Sequence, residues 1–177
     1  YHEITPGHYF EGQLQREFPK PGNLRKLGVR FGAYGEGWAN YGASLAIEMG
    51  IMDDPYDLYL ELLAQANGAS RSVIDTGMNY LDMSLDEART FLRTHSPIMS
   101  DVAIVGESLR FGADNFGQSV AYWMGFVKIW DARKRAERAL GERFNVKDFH
   151  AVVLGEGNLP MDALDMHIDR YIAKNGQ

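Results

Sequence analysis

Apolar side chains recur at steps of three and four residues through most of the chain, and no sustained period-two run rich in β-branched residues interrupts them. That pattern predicts an all-α fold, a bundle of several helices. A first helical stretch covers about residues 2–17 and should distort at Pro6-Gly7, because proline brings no backbone donor and glycine tolerates unusual dihedrals. Phe18-Pro19-Lys20-Pro21-Gly22-Asn23 reads as a loop, and a second helix runs from about Phe31 to Glu48, ending at Gly50. Asp53-Asp54-Pro55 has the form of a helix start, a capping side chain followed by proline. It opens a long helix through Leu60, Leu63, Val73 and Ile74 toward Met78. Ser84 and Glu87 form a capping box for the next helix. A less regular stretch covers about Ser96 to Gly112. A long helix follows from about Asn115 to Leu140, and the last helices cover Val146 to Leu154 and Pro160 to Ala173.

With 177 residues, 45% of them hydrophobic, the chain suffices for one well-buried core, and a single helical domain over residues 1–177 is the expectation. Position 1 is Tyr, and a candidate motif starts at position 2, so the chain reads as the C-terminal part of a longer protein, with the missing N-terminal part as its natural partner. The net charge of −6 offers no electrostatic footprint for a phosphate backbone, which argues against nucleic acid as a partner. No apolar run reaches the length of a membrane span. The absence of cysteine removes disulfides, thiolate ligands and cysteine nucleophiles, and leaves oxygen and imidazole as the available metal ligands.

Those ligands are concentrated near the start, in His2-Glu3-Ile4-Thr5-Pro6-Gly7-His8, followed by Gly35-Glu36-Gly37-Trp38-Ala39-Asn40-Tyr41. Two imidazoles and a carboxylate from a neighbouring helix are the ligand set of a hydrolytic zinc that keeps one position open. Glu3 directly follows His2, as in the HExxH zinc helix, where the glutamate acts as general base. The second histidine comes two positions late. Six residues along a regular helix amount to a rotation of about 240°, so His2 and His8 can share a face only if Pro6-Gly7 absorbs the extra residues in a bulge or local unwinding. A solvated helix start would carry the same side chains, and most glutamates like Glu36 are surface groups. Gly35 and Gly37 would allow close backbone approach beside Glu36, with Trp38 and Tyr41 packing the interior.

Further motifs follow in order: Ile47-Glu48-Met49-Gly50, then RSVIDTG at Arg71 to Gly77, GQSVAYWMG at Gly117 to Gly125, and DFHAVVLGEGNLPMDALDMHIDRYI from Asp148 to Ile172. Together with HEITPGH and EGWANY they resemble a bacterial family known as domain of unknown function 885, whose members resemble the gluzincin metallopeptidases. The resemblance covers nearly the whole chain. It implies a mostly helical zinc hydrolase, of which this chain would be the C-terminal catalytic half, acting on a peptide or related amide in an extracytoplasmic setting. Carried over by position, His2, His8 and Glu36 would hold zinc, Glu3 would be the general base, and Tyr122 the stabiliser of the transition state. A tyrosine hydroxyl can donate to the oxyanion formed at a peptide carbonyl, and Gln118 lies one helical turn earlier on the same face. Tyr122 would equally serve as a core aromatic of its apolar helix. The chain has Asn79, Ala43 and Trp123 where the family commonly has histidine, glutamate and lysine, positions that bear on substrate contacts.

Arg71 and Asp75 have the spacing of an ion pair on one helix, with Asp75 alternatively orienting a ligand histidine. His95, His150 and His167 have no partner at ligand spacing and read as surface or packing residues. The run Gly117-Gln118-Ser119-Val120-Ala121 lacks the strand-turn-helix setting and the final glycine of a serine nucleophile elbow. A non-catalytic helical module that binds a peptide or protein on the same scaffold is the alternative function.

Overall fold

The computed structural model describes residues 1–17 and 30–176, and the Phe18–Asn23 loop expected from the sequence lies outside the described residues. The fold is all-α: among the described residues there is no strand. The helices are α1 (His8–Glu17), α2 (Gly32–Glu48), α3 (Pro55–Tyr80), α4 (Leu85–His95), α5 (Asp101–Leu109), α6 (Gln118–Leu140), α7 (Val146–Gly155) and α8 (Met161–Asn175). None is long and apolar enough to cross a membrane. The chain divides into two compact units, residues 1–43 with 124–177, and residues 44–123.

In the first unit, α1 packs on α7 and α7 on α8. Its core contains Tyr34, Trp38, Tyr41, Ile129, Phe149, Val153, Leu164 and Ile168, all essentially inaccessible to water. Asn145 starts α7 by accepting from the backbone N–H of Lys147 at 2.9 Å, satisfying a donor that helix geometry leaves open. The Tyr34 hydroxyl donates to the Val153 carbonyl at 2.6 Å and so ties α2 to α7. Gly37 on α2 and Gly125 on α6 let two backbones touch: a Cβ at Gly37 would stand 2.4 Å from the Gly125 carbonyl carbon, and one at Gly125 only 1.8 Å from the Ala33 oxygen. Gly35, by contrast, has ordinary space around it, with 3.6 Å to the nearest atom, so the expected role in close approach belongs to Gly37 alone.

In the second unit α3 begins as expected, with the Asp54 carboxylate accepting from Tyr56 N at 2.7 Å and Pro55 in the first turn. Ser84 and Glu87 form the reciprocal capping box at the start of α4. The core gathers Ile74, Ala88, Leu92, Ile104 and Phe111, with Met78, Met83, Phe91 and Met99 around it. Two of these residues correct the expectation of an irregular stretch from Ser96 to Gly112. Residues 96–100 are irregular as expected, but Asp101–Leu109 forms α5, capped by Ser100 accepting from Ala103 N, and continues as a π-helical turn over Arg110–Asp114. Burial of Ile104 and Phe111 organises a segment whose valines and glycine weaken its local helix preference.

The expected Arg71–Asp75 pair does not form as such. Arg71 pairs with Glu107 on α5, Nε to Oε2 at 2.7 Å. Asp75 is buried and accepts from the backbone N–H groups of Gly117 at 2.8 Å and Ser119 at 3.0 Å, and from Asn79 Nδ2 at 3.1 Å. A buried carboxylate is better satisfied by the unpaired donors at the start of α6 than by a guanidinium that can reach a carboxylate nearer solvent.

Candidate metal centre

Residues 1–7 are wound into a wide turn that leads into α1. The amide of Gly7 donates to the Tyr1 carbonyl, His8 to His2 at 2.9 Å, Tyr9 to Glu3 and Phe10 to Ile4, so each bond reaches back six residues. A regular helix would reach back four. The two surplus residues are absorbed in the turn, which contains the cis peptide Thr5-Pro6, and His8 returns to the side of His2. Space for this exists only because residue 7 has no side chain: a Cβ there would fall 1.7 Å from the His2 oxygen. Trp38 Nε1 donates to the Pro6 carbonyl at 2.8 Å and fastens the turn to α2.

Two residues before that anchor, α2 presents Glu36. Its Oε2 lies 3.1 Å from His8 Nε2 and 3.5 Å from His2 Nε2, and the two imidazole rings meet edge to face with centroids 4.8 Å apart. Ligand atoms of all three side chains lie within 4.8 Å of one another, the one such grouping of potential metal ligands among the described residues. The side chains of His2, His8 and Glu36 are 25, 32 and 18% exposed, so the cluster is reachable from solvent while its atoms are held by the fold. Glu3 belongs to the rim. Its side chain is 81% exposed, with Oε1 at 3.9 Å from His2 Nε2.

The electrostatics favour a cation. The hydrogen bond to the Glu36 carboxylate, outweighing burial and aided by charge attraction to Glu36 and Glu3, holds His2 above the usual imidazole range.

Glu11 completes the surroundings and was not evident from the sequence. It is a buried carboxylate on α1, with Oε2 at 3.9 Å from His8 Nδ1, and its Oε1 accepts from Gln15 Nε2 at 2.6 Å and Asn158 Nδ2 at 3.5 Å. Burial pushes its carboxyl above the ordinary range against the pull of those donors. At 3.9 Å the Glu11 carboxylate is beyond hydrogen-bond distance of His8 and bears on the ring by charge. The signal was the i,i+3 spacing from His8, which places both on one face of α1.

Tyr122 and Gln118 lie on α6 in the second unit, both half-buried. His95 and His150 are packing residues: His95 stacks on Phe91, and His150 Nε2 lies 2.8 Å from the Tyr41 hydroxyl, which also accepts from Arg133 at 3.1 Å.

The zinc ligand set can be tested against these distances. A tetrahedral zinc with bonds of about 2.0–2.2 Å separates its ligand atoms by roughly 3.3–3.5 Å. The two imidazole-to-carboxylate separations, 3.1 and 3.5 Å, bracket that range, and the donors are the nitrogen and oxygen types that zinc accepts.

Comparison with known proteins gives relatives of the whole arrangement. A solved structure from Colwellia psychrerythraea, described as a candidate lipoprotein, superposes with a TM-score of 0.88 at 32% identity, covering 98% of this chain and 29% of that one. One from Shewanella oneidensis, described as a candidate lipoprotein of unknown function, has a TM-score of 0.82 at 23% identity, covering 93% of this chain and 30% of that one, and shows the shared fold. The chain thus spans under a third of the length of these structures. No curated protein matches the sequence. The family described as bacterial protein of unknown function (DUF885) matches residues 1–168, and the chain belongs to that family.

Proposed function

We propose that this chain carries the metal site of a zinc-dependent hydrolase that cleaves a peptide or related amide bond. The observation that carries the reading is the convergence of His2, His8 and Glu36, with ligand atoms within 4.8 Å, built by a turn that brings two histidines six apart in sequence to one side. Three protein ligands without cysteine are the set of a zinc that keeps a position open, whereas structural zinc sites are closed by four. A zinc held there supplies Lewis acidity, lowering the pKa of water and polarising a carbonyl oxygen.

The chain's own groups take the remaining roles. Glu3, next to His2 and largely open to solvent, accepts the proton of the attacking water and returns it to the leaving amine. Glu11 bears on His8 by charge. The family resemblance makes Tyr122 the candidate donor to the oxyanion that develops on the carbonyl. The likeness of HEITPGH and Glu36 to the gluzincin pattern supports the same assignment. The Colwellia structure, described as a candidate lipoprotein, supports an extracytoplasmic setting.

The test is hydrolysis of a mixed peptide library by the gene product loaded with zinc. Glu3→Gln is expected to lower turnover by roughly 10²–10⁴-fold with zinc retained, and Tyr122→Phe by about 10²–10³-fold. Unchanged turnover in Glu3→Gln would remove Glu3 as the base. Zinc-loaded protein that binds peptides without cleaving any would favour the non-catalytic module.

A further inference from the structure

The first turns of α3 have the composition of a buried helix and lie bare. From Pro55 the sequence runs Tyr56-Asp57-Leu58-Tyr59-Leu60-Glu61-Leu62-Leu63-Ala64. Tyr56 is 76% exposed, Tyr59 56%, Leu62 54%, Leu60 53% and Leu58 42%. At about 100° per residue these side chains point to nearly every side of the helix rather than along one stripe. A helix that is apolar around its circumference is normally enclosed by other elements, and contiguous apolar surface of this kind marks an interface.

Charge narrows what covers it. The only charged side chains of the segment from Ile51 to Ser70 are Asp53, Asp54, Asp57 and Glu61. Without lysine or arginine the segment lacks the attraction to anionic lipid that interfacial helices use. A second copy docked on the same face would bring like charges together. The similar solved structures point to another source, since they align with this chain over 98% and 93% of its length yet are more than three times as long.

We propose that Tyr56–Leu62 is a buried interface of a larger protein, covered by further polypeptide of the same gene product. That polypeptide presents an apolar helical face with lysine or arginine at its rim, opposite Asp57 and Glu61. The burial of Tyr59 and Leu62 then makes α3 part of a continuous core. This inference does not depend on the metal reading.

The chain has no cysteine, so a single introduced thiol reports on one position without background. Tyr59→Cys, with Leu62→Cys as a second variant and exposed Glu142→Cys as control, would be made in the protein as its gene encodes it, and maleimide labelling compared at concentrations where sedimentation shows a monomer. The thiols at 59 and 62 are expected to react at least roughly 100-fold more slowly than that at 142, and all three equally fast in denaturant. Either position reacting as fast as 142 in the folded monomer would overturn the proposal. So would protection that vanishes on dilution as a dimer dissociates, which assigns the face to a second copy, or protection gained only on adding lipid vesicles.

Discussion

The amide of His8 donates to the carbonyl of His2 at 2.9 Å, a bond that spans six residues and fixes the distance between the two imidazoles. It replaces the four-residue step of a regular helix and places both rings against Glu36.

Gly7 is the residue this bond depends on, because a Cβ there would stand 1.7 Å from the His2 oxygen. Gly7→Ala is expected to open the turn and lower zinc affinity by about 10- to 100-fold, while helix content by circular dichroism is unchanged, since the helices begin at His8. Wild-type affinity in this variant would show that the turn is not what holds the histidines.

Glu11→Gln removes the charge behind His8 while keeping its size. Zinc affinity is expected to fall by roughly 10- to 100-fold. In the metal-free chain the effect on stability has the opposite sign. Burial raises the folded-state pKa of Glu11, so the folded form binds the proton more tightly and stability falls as pH rises through that pKa. The variant should therefore have the higher Tm at neutral pH, with the advantage shrinking as pH falls through the carboxylate range. Thermal unfolding with chelator present, across that range, measures it.

The backbone contact of α2 with α6 leaves no space for a methyl group at Gly37 or Gly125. Gly37→Ala and Gly125→Ala should each cost about 1–3 kcal/mol in urea unfolding, the range for overpacking. Gly35→Ala, where the nearest atom is at 3.6 Å, should cost far less.

In the second unit Asp75 joins α3 to the start of α6. Asp75→Ala leaves the N–H groups of Gly117 and Ser119 without their acceptor and is expected to destabilise by about 2–4 kcal/mol. Asp75→Asn, whose single amide oxygen can still accept, should recover part of that loss.

Helix periodicity, the Asp54 and Ser84 caps and the turn at Pro6-Gly7 were legible because each is a local rule written within a few residues. The helix at Asp101–Leu109 was not. Val102, Val105 and Gly106 argue against a helix locally, and the core around Ile104 and Phe111 decides the matter. The partners of Arg71 and Asp75 were missed for a related reason. Spacing along one helix indicates which side chains could meet, while competing partners from α5 and the start of α6 determine which do. The grouping of His2, His8 and Glu36 was legible from residue type and order, and Glu11 was hidden among the ordinary acidic residues of an amphipathic helix until its burial beside His8 was seen.

The most direct measurement is the zinc content of chelator-treated protein after reconstitution and gel filtration, by elemental analysis, for the wild type and for His2→Ala, His8→Ala and Glu36→Ala. The account predicts about one zinc per chain in the wild type and a loss of bound metal in all three variants, with helix content maintained. No zinc in the reconstituted wild type, or a full equivalent in variants lacking any one of these side chains, would contradict it.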